Sequence, residues 1–157
     1  MRTLHVKTRR EHLSNALLAD WDYTDPPPCM RWDPNEYRPH ALRGKDPAKD
    51  RKQTNVRGAN RLAVEALPLF PTAPSARRLR TVGFQDRNRE TEITWPIWDE
   101  PIDIGTLQSL LAMSELQEDE PGANQKSLAA RGIVQVFRAK RFTEGKYRNF
   151  SPARMLL

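Results

Sequence analysis

Thirteen prolines among 157 residues limit the length of every helix and strand that this chain can form. Proline has no backbone N–H, and its ring disrupts the interior of a helix and the middle of a sheet. The run Pro26–Pro28 therefore ends a helix predicted over residues 8–20 and begins an irregular segment over residues 21–54. Hydrophobic residues make up 38% of the chain and charged residues 29%, which predicts a thin core and many loops.

Apolar residues recur between the prolines with the periods of helices and strands. The predicted helices cover residues 8–20, 58–67, 104–117 and 124–131, and the predicted strands cover residues 78–85, 91–98, 133–142 and 146–150. The first two strands form a predicted hairpin, and Pro96 places the second of them at a sheet edge or a bulge. We expect a single α+β domain over residues 1–157, with about four helices, a small, mostly antiparallel sheet and an irregular aromatic and basic loop at about 21–55.

The charge of the chain favours a polyanion as its partner. Lys and Arg number 26 against 20 Asp and Glu, which gives a net charge of +6 and a pI near 9.8. The single cysteine, Cys29, excludes an intramolecular disulfide, and no apolar run approaches the length of a membrane span. We therefore expect a cytoplasmic protein that binds nucleic acid and has no membrane partner.

Acidic and basic residues are separated along the second half of the chain. Residues 99–120 contain seven carboxylates and neither Lys nor Arg, whereas residues 131–154 contain seven Lys or Arg residues and one carboxylate. Negative charge at the end of the predicted helix over 104–117 opposes the helix dipole. We therefore expect a basic group to lie beside that end of the helix.

The final strands interleave bases with aromatic rings, a combination that binds phosphates and stacks on nucleobases in other proteins. We expect phosphate contacts from Arg138, Lys140, Arg141, Lys146 and Arg148. Tyr147 and Phe142 are the candidate stacking partners. Secondary contacts are expected from Arg57, Arg77, Arg78 and Arg80, because the planar guanidinium fork suits phosphate oxygens.

Strand alternation places Arg138 and Lys140 on one face of a sheet, and Phe137 and Arg141 on the other. Two alternatives to nucleic-acid binding remain open at this point. The ribbon could simply bury its aromatic rings and leave a solvated basic face, or the basic clusters could pair with the acidic stretch or with a protein neighbour.

Residues suited to catalysis are few and scattered. The imidazole and thiol groups are those of His5, His12, His40 and Cys29, and none lies in a recognisable motif. His5 and His12 have no nearby Cys or carboxylate pair that would complete a metal site. The sequence contains neither a phosphate-binding loop nor a dinucleotide fingerprint. We therefore expect no catalytic residue, no metal and no cofactor.

One acidic group could still support phosphoryl chemistry. Asp99, Glu100 and Asp103 could hold Mg²⁺ if their carboxylates converged on one point, which would make the protein a metal-dependent nuclease. Their position before a predicted helix favours a structural role, with Asp103 as the helix cap.

Three phrases of the sequence resemble one protein family. They are Met30-Arg31-Trp32-Asp33-Pro34, the stretch over 57–71 that contains Arg57-Gly58-Ala59-Asn60-Arg61-Leu62-Ala63 and Glu65-Ala66-Leu67-Pro68-Leu69-Phe70-Pro71, and Gly145-Lys146-Tyr147-Arg148-Asn149-Phe150-Ser151-Pro152-Ala153-Arg154. Together they resemble the C-terminal part of large-subunit-type proteins encoded in type I-G (formerly I-U) CRISPR loci. A longer N-terminal portion precedes this region in that family, so the resemblance implies that Met1 is an internal translation start.

The resemblance implies a non-catalytic small subunit of a Cascade-type effector, which binds the guide RNA–target DNA duplex or the displaced strand and stabilises the R-loop. Its implied partners are guide RNA, target DNA, other Cascade subunits and further copies of itself. Known small subunits are helical bundles, so an all-α fold is the alternative to α+β. The alternative function is an adaptor, which would dock a nuclease or a neighbouring subunit through the acidic region 104–120 and the aromatic loop 21–37.

Overall fold

The computed structural model describes residues 1–28, 30, 55–76, 78–87, 90–144 and 147–157, with the backbone alone at 144 and 147–149. Within these residues the chain forms five α-helices and two antiparallel sheets, so the predicted α+β class is confirmed and the all-α alternative is wrong. The contacts divide the chain into two compact units, Met1–Pro68 and Leu69–Leu157. The single domain expected over 1–157 stays a prediction.

The first unit, Met1–Pro68, contains three helices. They are α1 (Arg2–Lys7), α2 (Arg10–Leu18) and α3 (Arg57–Glu65), and a 3₁₀ turn follows at Leu67–Leu69. The helix predicted over 8–20 is therefore α2, and α1 was not predicted. Thr8 separates the two, because its backbone is extended and its hydroxyl donates to the Leu4 carbonyl at 2.7 Å.

Helices α2 and α3 approach so closely that their contact requires a glycine. A Cβ atom added to Gly58 would lie 1.9 Å from the His12 carbonyl oxygen and 2.8 Å from the Ala16 Cβ. Any larger residue would therefore force the two helices apart. This packing gives a physical role to the glycine of the Arg57-Gly58-Ala59-Asn60 phrase.

The second unit, Leu69–Leu157, contains both sheets. The strands are β1 (Thr72–Ser75), β2 (Arg78–Thr81), β3 (Phe84–Arg87), β4 (Glu90–Trp98), β5 (Ile133–Glu144), β6 (Tyr147–Phe150) and β7 (Arg154–Met155). β1 pairs with β2 alone. The larger sheet has the order β3-β4-β5-β6, and β7 pairs with β5 beside β6.

The predicted hairpin of 78–85 with 91–98 is wrong in its first strand. Gly83 adopts a φ of 76°, which only glycine adopts readily, and the chain turns there. Residues 78–81 therefore pair with β1, whereas residues 84–87 pair with β4. The last two predicted strands, 133–142 and 146–150, agree with β5 and β6, which pair antiparallel, although β5 extends further than predicted.

Pro96 lies where the sequence analysis placed it. Its register partner is Val136 on β5, while β3 pairs with β4 only as far as Ile93. On its other side β4 is therefore a local edge, and the register shifts between Ile97 and Trp98. A residue without an N–H is tolerated at such a position.

Short helices cover one face of the larger sheet. They are α4 (Ile104–Leu111), 3₁₀ turns at Ser114–Gln117 and Pro121–Asn124, and α5 (Gln125–Ala129). Their apolar residues and two from β5 form the core: Leu110, Leu116, Leu128, Ile133 and Val136. The Asp103 carboxylate accepts from the Thr106 amide at 2.8 Å, which confirms Asp103 as the cap of α4.

Candidate nucleic-acid interface

Arg138 lies inside the second unit rather than on its surface. Only 1% of it is exposed. Nε donates to the Thr94 hydroxyl at 2.9 Å, and Nη2 donates to the carbonyls of Leu116 and Glu118 at 3.0 and 2.6 Å. Arg138 therefore has a structural role and is not exposed for the expected phosphate contact. Its hydrogen bonds hold residues 116–118 against the sheet.

A buried carboxylate balances this guanidinium. The Glu92 side chain on β4 is 5% exposed. Four basic groups surround it: Arg87 Nε at 3.2 Å, Arg138 Nη1 at 3.6 Å, Arg154 Nη2 at 3.8 Å and Lys140 Nζ at 3.9 Å. Burial lowers the pKa of Arg138, and the positive charge of Arg87 adds to that effect while Glu92 opposes it.

The acidic stretch pairs with bases from the strands, as one of the open alternatives predicted. Arg131 Nη1 lies 3.2 Å from a Glu115 carboxylate oxygen, and Arg87 pairs with Asp119. Together with Arg138, these residues are the basic groups expected at the acidic end of the helix predicted over 104–117. That helix ends at Leu111 in the structure, and the acidic residues lie in and after the 3₁₀ turn Ser114–Gln117. Several acidic and basic residues that lie far apart in the sequence therefore form ion pairs in the fold.

Three predicted phosphate contacts nevertheless meet in one cleft. Arg78 and Arg80 on β2, and Arg141 on β5, all line it. Arg78 and Arg80 are exposed, and Arg141 is half-buried. Leu79, which lies between them on β2 and is 73% exposed, also lines the cleft. We call this site the arginine cleft.

Two cations of the arginine cleft have no counterion among the described residues. Neither Arg80 nor Arg141 forms an ion pair or a hydrogen bond with any side chain in the part of the chain that the structure describes. Arg78 has a weak partner, since Nη1 lies 3.9 Å from Asp86 and its side chain is 79% exposed. These guanidinium groups therefore remain available for an external anion.

The remaining lining of the arginine cleft is mixed, with polar and acidic residues, a further arginine (Arg87), two apolar residues (Leu79 and Ala112) and one aromatic ring. Carboxylates come from Asp86, Glu118 and Asp119, and Gln117 and Thr91 add neutral polar groups. The ring of Phe84 contacts Phe150 edge-on, with a centroid distance of 6.0 Å. Because Phe84 packs within the protein in this way, the cleft is built to bind by charge and hydrogen bonding more than by stacking.

The remaining predicted residues of the second unit have other surroundings. Lys140 is exposed, but its Nζ lies 2.8 Å from Glu90, so its charge is partly neutralised. Phe142 is half-buried. Tyr147 and Arg148 belong to β6, and only their backbone is described. Arg77 and Lys146 lie outside the described residues.

Arg57, the secondary contact expected in the first unit, is also buried, at 8% exposure. Its Nη2 donates to the Pro26 carbonyl at 2.9 Å, and its backbone amide donates to the Asp25 carboxylate at 2.9 Å. His12 Nε2 lies 3.5 Å from the same carboxylate. Arg57 therefore ties α3 to the chain that follows α2, which is a structural role and not a phosphate contact.

Metal and membrane sites can be assessed only within the described residues. No group of three or more His, Cys, Asp or Glu side chains in them is arranged to hold a metal ion. Asp103, a member of the alternative magnesium site, is the helix cap described above. None of the described helices has the length and apolar character needed to span a bilayer.

Sequence reasoning missed two residues that shape the site. Gln117 lies between Leu116 and Glu118 in an acidic stretch, where no pattern marks it. Arg87 was assigned no role, although it joins Glu92 and Asp119. The packing of residues 114–119 against the sheet would have been needed to find either residue.

No protein-family profile, no curated protein and no solved structure matches this chain.

Proposed function

We propose that the chain is a non-catalytic subunit of a Cascade-type effector that holds a nucleic-acid backbone in the arginine cleft and thereby stabilises the R-loop. The observation that carries this proposal is the pair of unpartnered arginines, Arg80 and Arg141, beside the exposed Arg78. The assignment to a Cascade complex rests on the sequence resemblance alone.

The chemistry of the arginine cleft suits phosphate. A half-buried guanidinium without a carboxylate partner gains a counterion when a phosphate binds, and its planar fork can donate two parallel hydrogen bonds. Among the described residues of this unit, most other cationic side chains already have carboxylate partners, as Arg87, Arg138 and Lys140 do. Phosphate contacts position a strand without reading its sequence, which fits an effector in which base pairing supplies the specificity.

The test compares two variants with equal charge. In the first, Arg78, Arg80 and Arg141 are changed to Gln. In the control, three exposed bases that do not line the cleft, Arg2, Arg10 and Lys126, are changed to Gln. Fluorescence anisotropy measures binding to single-stranded, duplex and R-loop nucleic acids over a salt series.

Loss of three phosphate contacts should lower the slope of log Kd against log salt by about 2 for a single strand. The control should keep the slope of the wild type and lose affinity only slightly, through its lower net charge. Equal slopes for the wild type and the cleft variant would reject the arginine cleft as the binding site.

The adaptor remains the second candidate, and one observation favours it. Ile104 begins α4 within the acidic stretch and is 69% exposed, as expected for an apolar anchor that a partner protein covers. Ile104→Ser should abolish co-purification with a neighbouring subunit while leaving nucleic-acid affinity unchanged if the adaptor function is correct. Retained co-purification would remove this support.

A further inference from the structure

Gln117 is an unusual residue of the arginine cleft. Both polar atoms of its side chain are shielded from water, and neither has a hydrogen-bond partner among the described residues. The residue itself is half-buried and lines the cleft together with Arg80 and Arg141. A ligand held by those arginines would therefore lie in the same cleft as Gln117, and its amide would contact that ligand after a rotation of the side chain.

An unpaired, buried amide is unfavourable for folding, and such groups are rare in native proteins. An apolar side chain of similar size would avoid this loss and would extend the neighbouring core, since Leu116 is fully buried. No described residue pairs with the amide, which leaves it open to a bound ligand. A ligand that offers one donor and one acceptor would satisfy both of its polar atoms.

The backbone at Gln117 is held on both sides. Arg138 Nη2 donates to the carbonyl of Leu116, which precedes Gln117, and to the carbonyl of Glu118, which follows it. Asp119 is in turn paired with Arg87. A binding residue held by such supporting contacts loses little conformational freedom when a ligand arrives. Arg138 thus acts as a positioning residue for this cleft.

We propose that Gln117 contacts the edge of a nucleobase whose flanking phosphates are bound by Arg78, Arg80 and Arg141. A base edge presents a donor beside an acceptor, and a carboxamide side chain bonds both, as Gln does with adenine. The inference rests on the proposed function and deepens it, because it adds a base contact to a site otherwise built for the backbone. An unpaired single strand is the ligand form that exposes such an edge.

The test uses two single-stranded DNA probes with equal numbers of phosphates. One has a mixed sequence, and the other carries an abasic spacer in place of every base. Wild-type protein is compared with Gln117→Leu and Gln117→Met, which remove the amide without changing net charge. Circular dichroism and the melting temperature establish that the variants fold, and neither variant should melt below the wild type, since each removes two unpaired buried polar atoms.

Wild-type protein should bind the mixed-sequence probe about tenfold more tightly than the abasic probe. Both variants should bind the two probes equally, at the affinity of the wild type for the abasic probe. Salt-dependent binding by the wild type that does not distinguish the probes would overturn the base contact and leave the proposed function intact. A base preference retained in both variants would also overturn it, and no binding by the wild type to either probe would reject the proposed function itself.

Discussion

Replacing Arg138 by Met tests the structural core of the second unit. The substitution keeps an unbranched side chain in a site that is 1% exposed and removes the guanidinium. It leaves two carbonyls, those of Leu116 and Glu118, without their donor, and it leaves the buried Glu92 carboxylate without its most buried cation. Removing one partner from a buried charge pair costs about 3 to 5 kcal/mol. That loss is a large part of the roughly 5 to 15 kcal/mol that stabilises a typical domain.

Urea unfolding measures this loss. Changing Trp21 and Trp32 to Phe leaves Trp95 and Trp98, both on β4, as the fluorescent reporters of the second unit. In that background Arg138→Met should lower the unfolding midpoint without changing the m-value. Lys140→Met is the matched control, because its side chain is 46% exposed and its pairs with Glu90 and Glu92 should contribute only about 0 to 1 kcal/mol. Equal losses of stability in the two variants would refute the structural role of the buried Arg138.

Three further predictions follow from the fold. Gly58→Ala should destabilise the first unit by about 1 to 3 kcal/mol, because its Cβ would overlap the His12 carbonyl. Urea unfolding followed by helical circular dichroism should show a lower midpoint. An unchanged midpoint would contradict the close approach of α2 and α3. Leu128→Ala should lower the free energy of unfolding by about 2 to 5 kcal/mol in the fluorescence assay, because Leu128 is fully buried. A loss below about 1 kcal/mol, the size expected for a surface residue, would contradict that burial. The hydrogen bond from the Thr106 amide lowers the pKa of Asp103 below its ordinary value of 3.8. The Asp103 carboxylate therefore stabilises the fold above pH 3.8, and this contribution is lost as the pH falls through the lower pKa of the folded state. Asp103→Asn should remove that part of the acid dependence of the melting temperature, and an identical acid dependence in the variant would contradict the prediction.

Local sequence patterns predicted many of the helices and strands. Apolar periodicity located α2, α3, α4 and α5, and strand propensity located β5 and β6. Where these predictions erred, a single residue often decided the outcome. Thr8 divides the first helical region, and Gly83 sends β2 to a different partner from β3. Such turns depend on contacts that a periodicity window does not contain.

The candidate site was harder to predict, because exposure depends on pairing across the chain. Alternation correctly placed Arg138 and Lys140 on one sheet face, where both lie near Glu92. Only the tertiary structure shows that the acidic segment covers Arg138 and leaves Lys140 exposed. The charge pattern predicted that bases would contact the acidic residues that follow α4. It could not show which arginines would remain without a partner.

The central claim is that the arginine cleft binds nucleic acid, and hydrogen exchange with and without a single-stranded oligonucleotide tests it most directly. Backbone amides near the cleft, on β2, on β3 and over residues 114–119, should exchange more slowly in the complex. Amides of α1 and α2 in the first unit should exchange at the same rate in both states. Protection confined to residues outside the cleft, at an oligonucleotide concentration that saturates binding, would contradict the account.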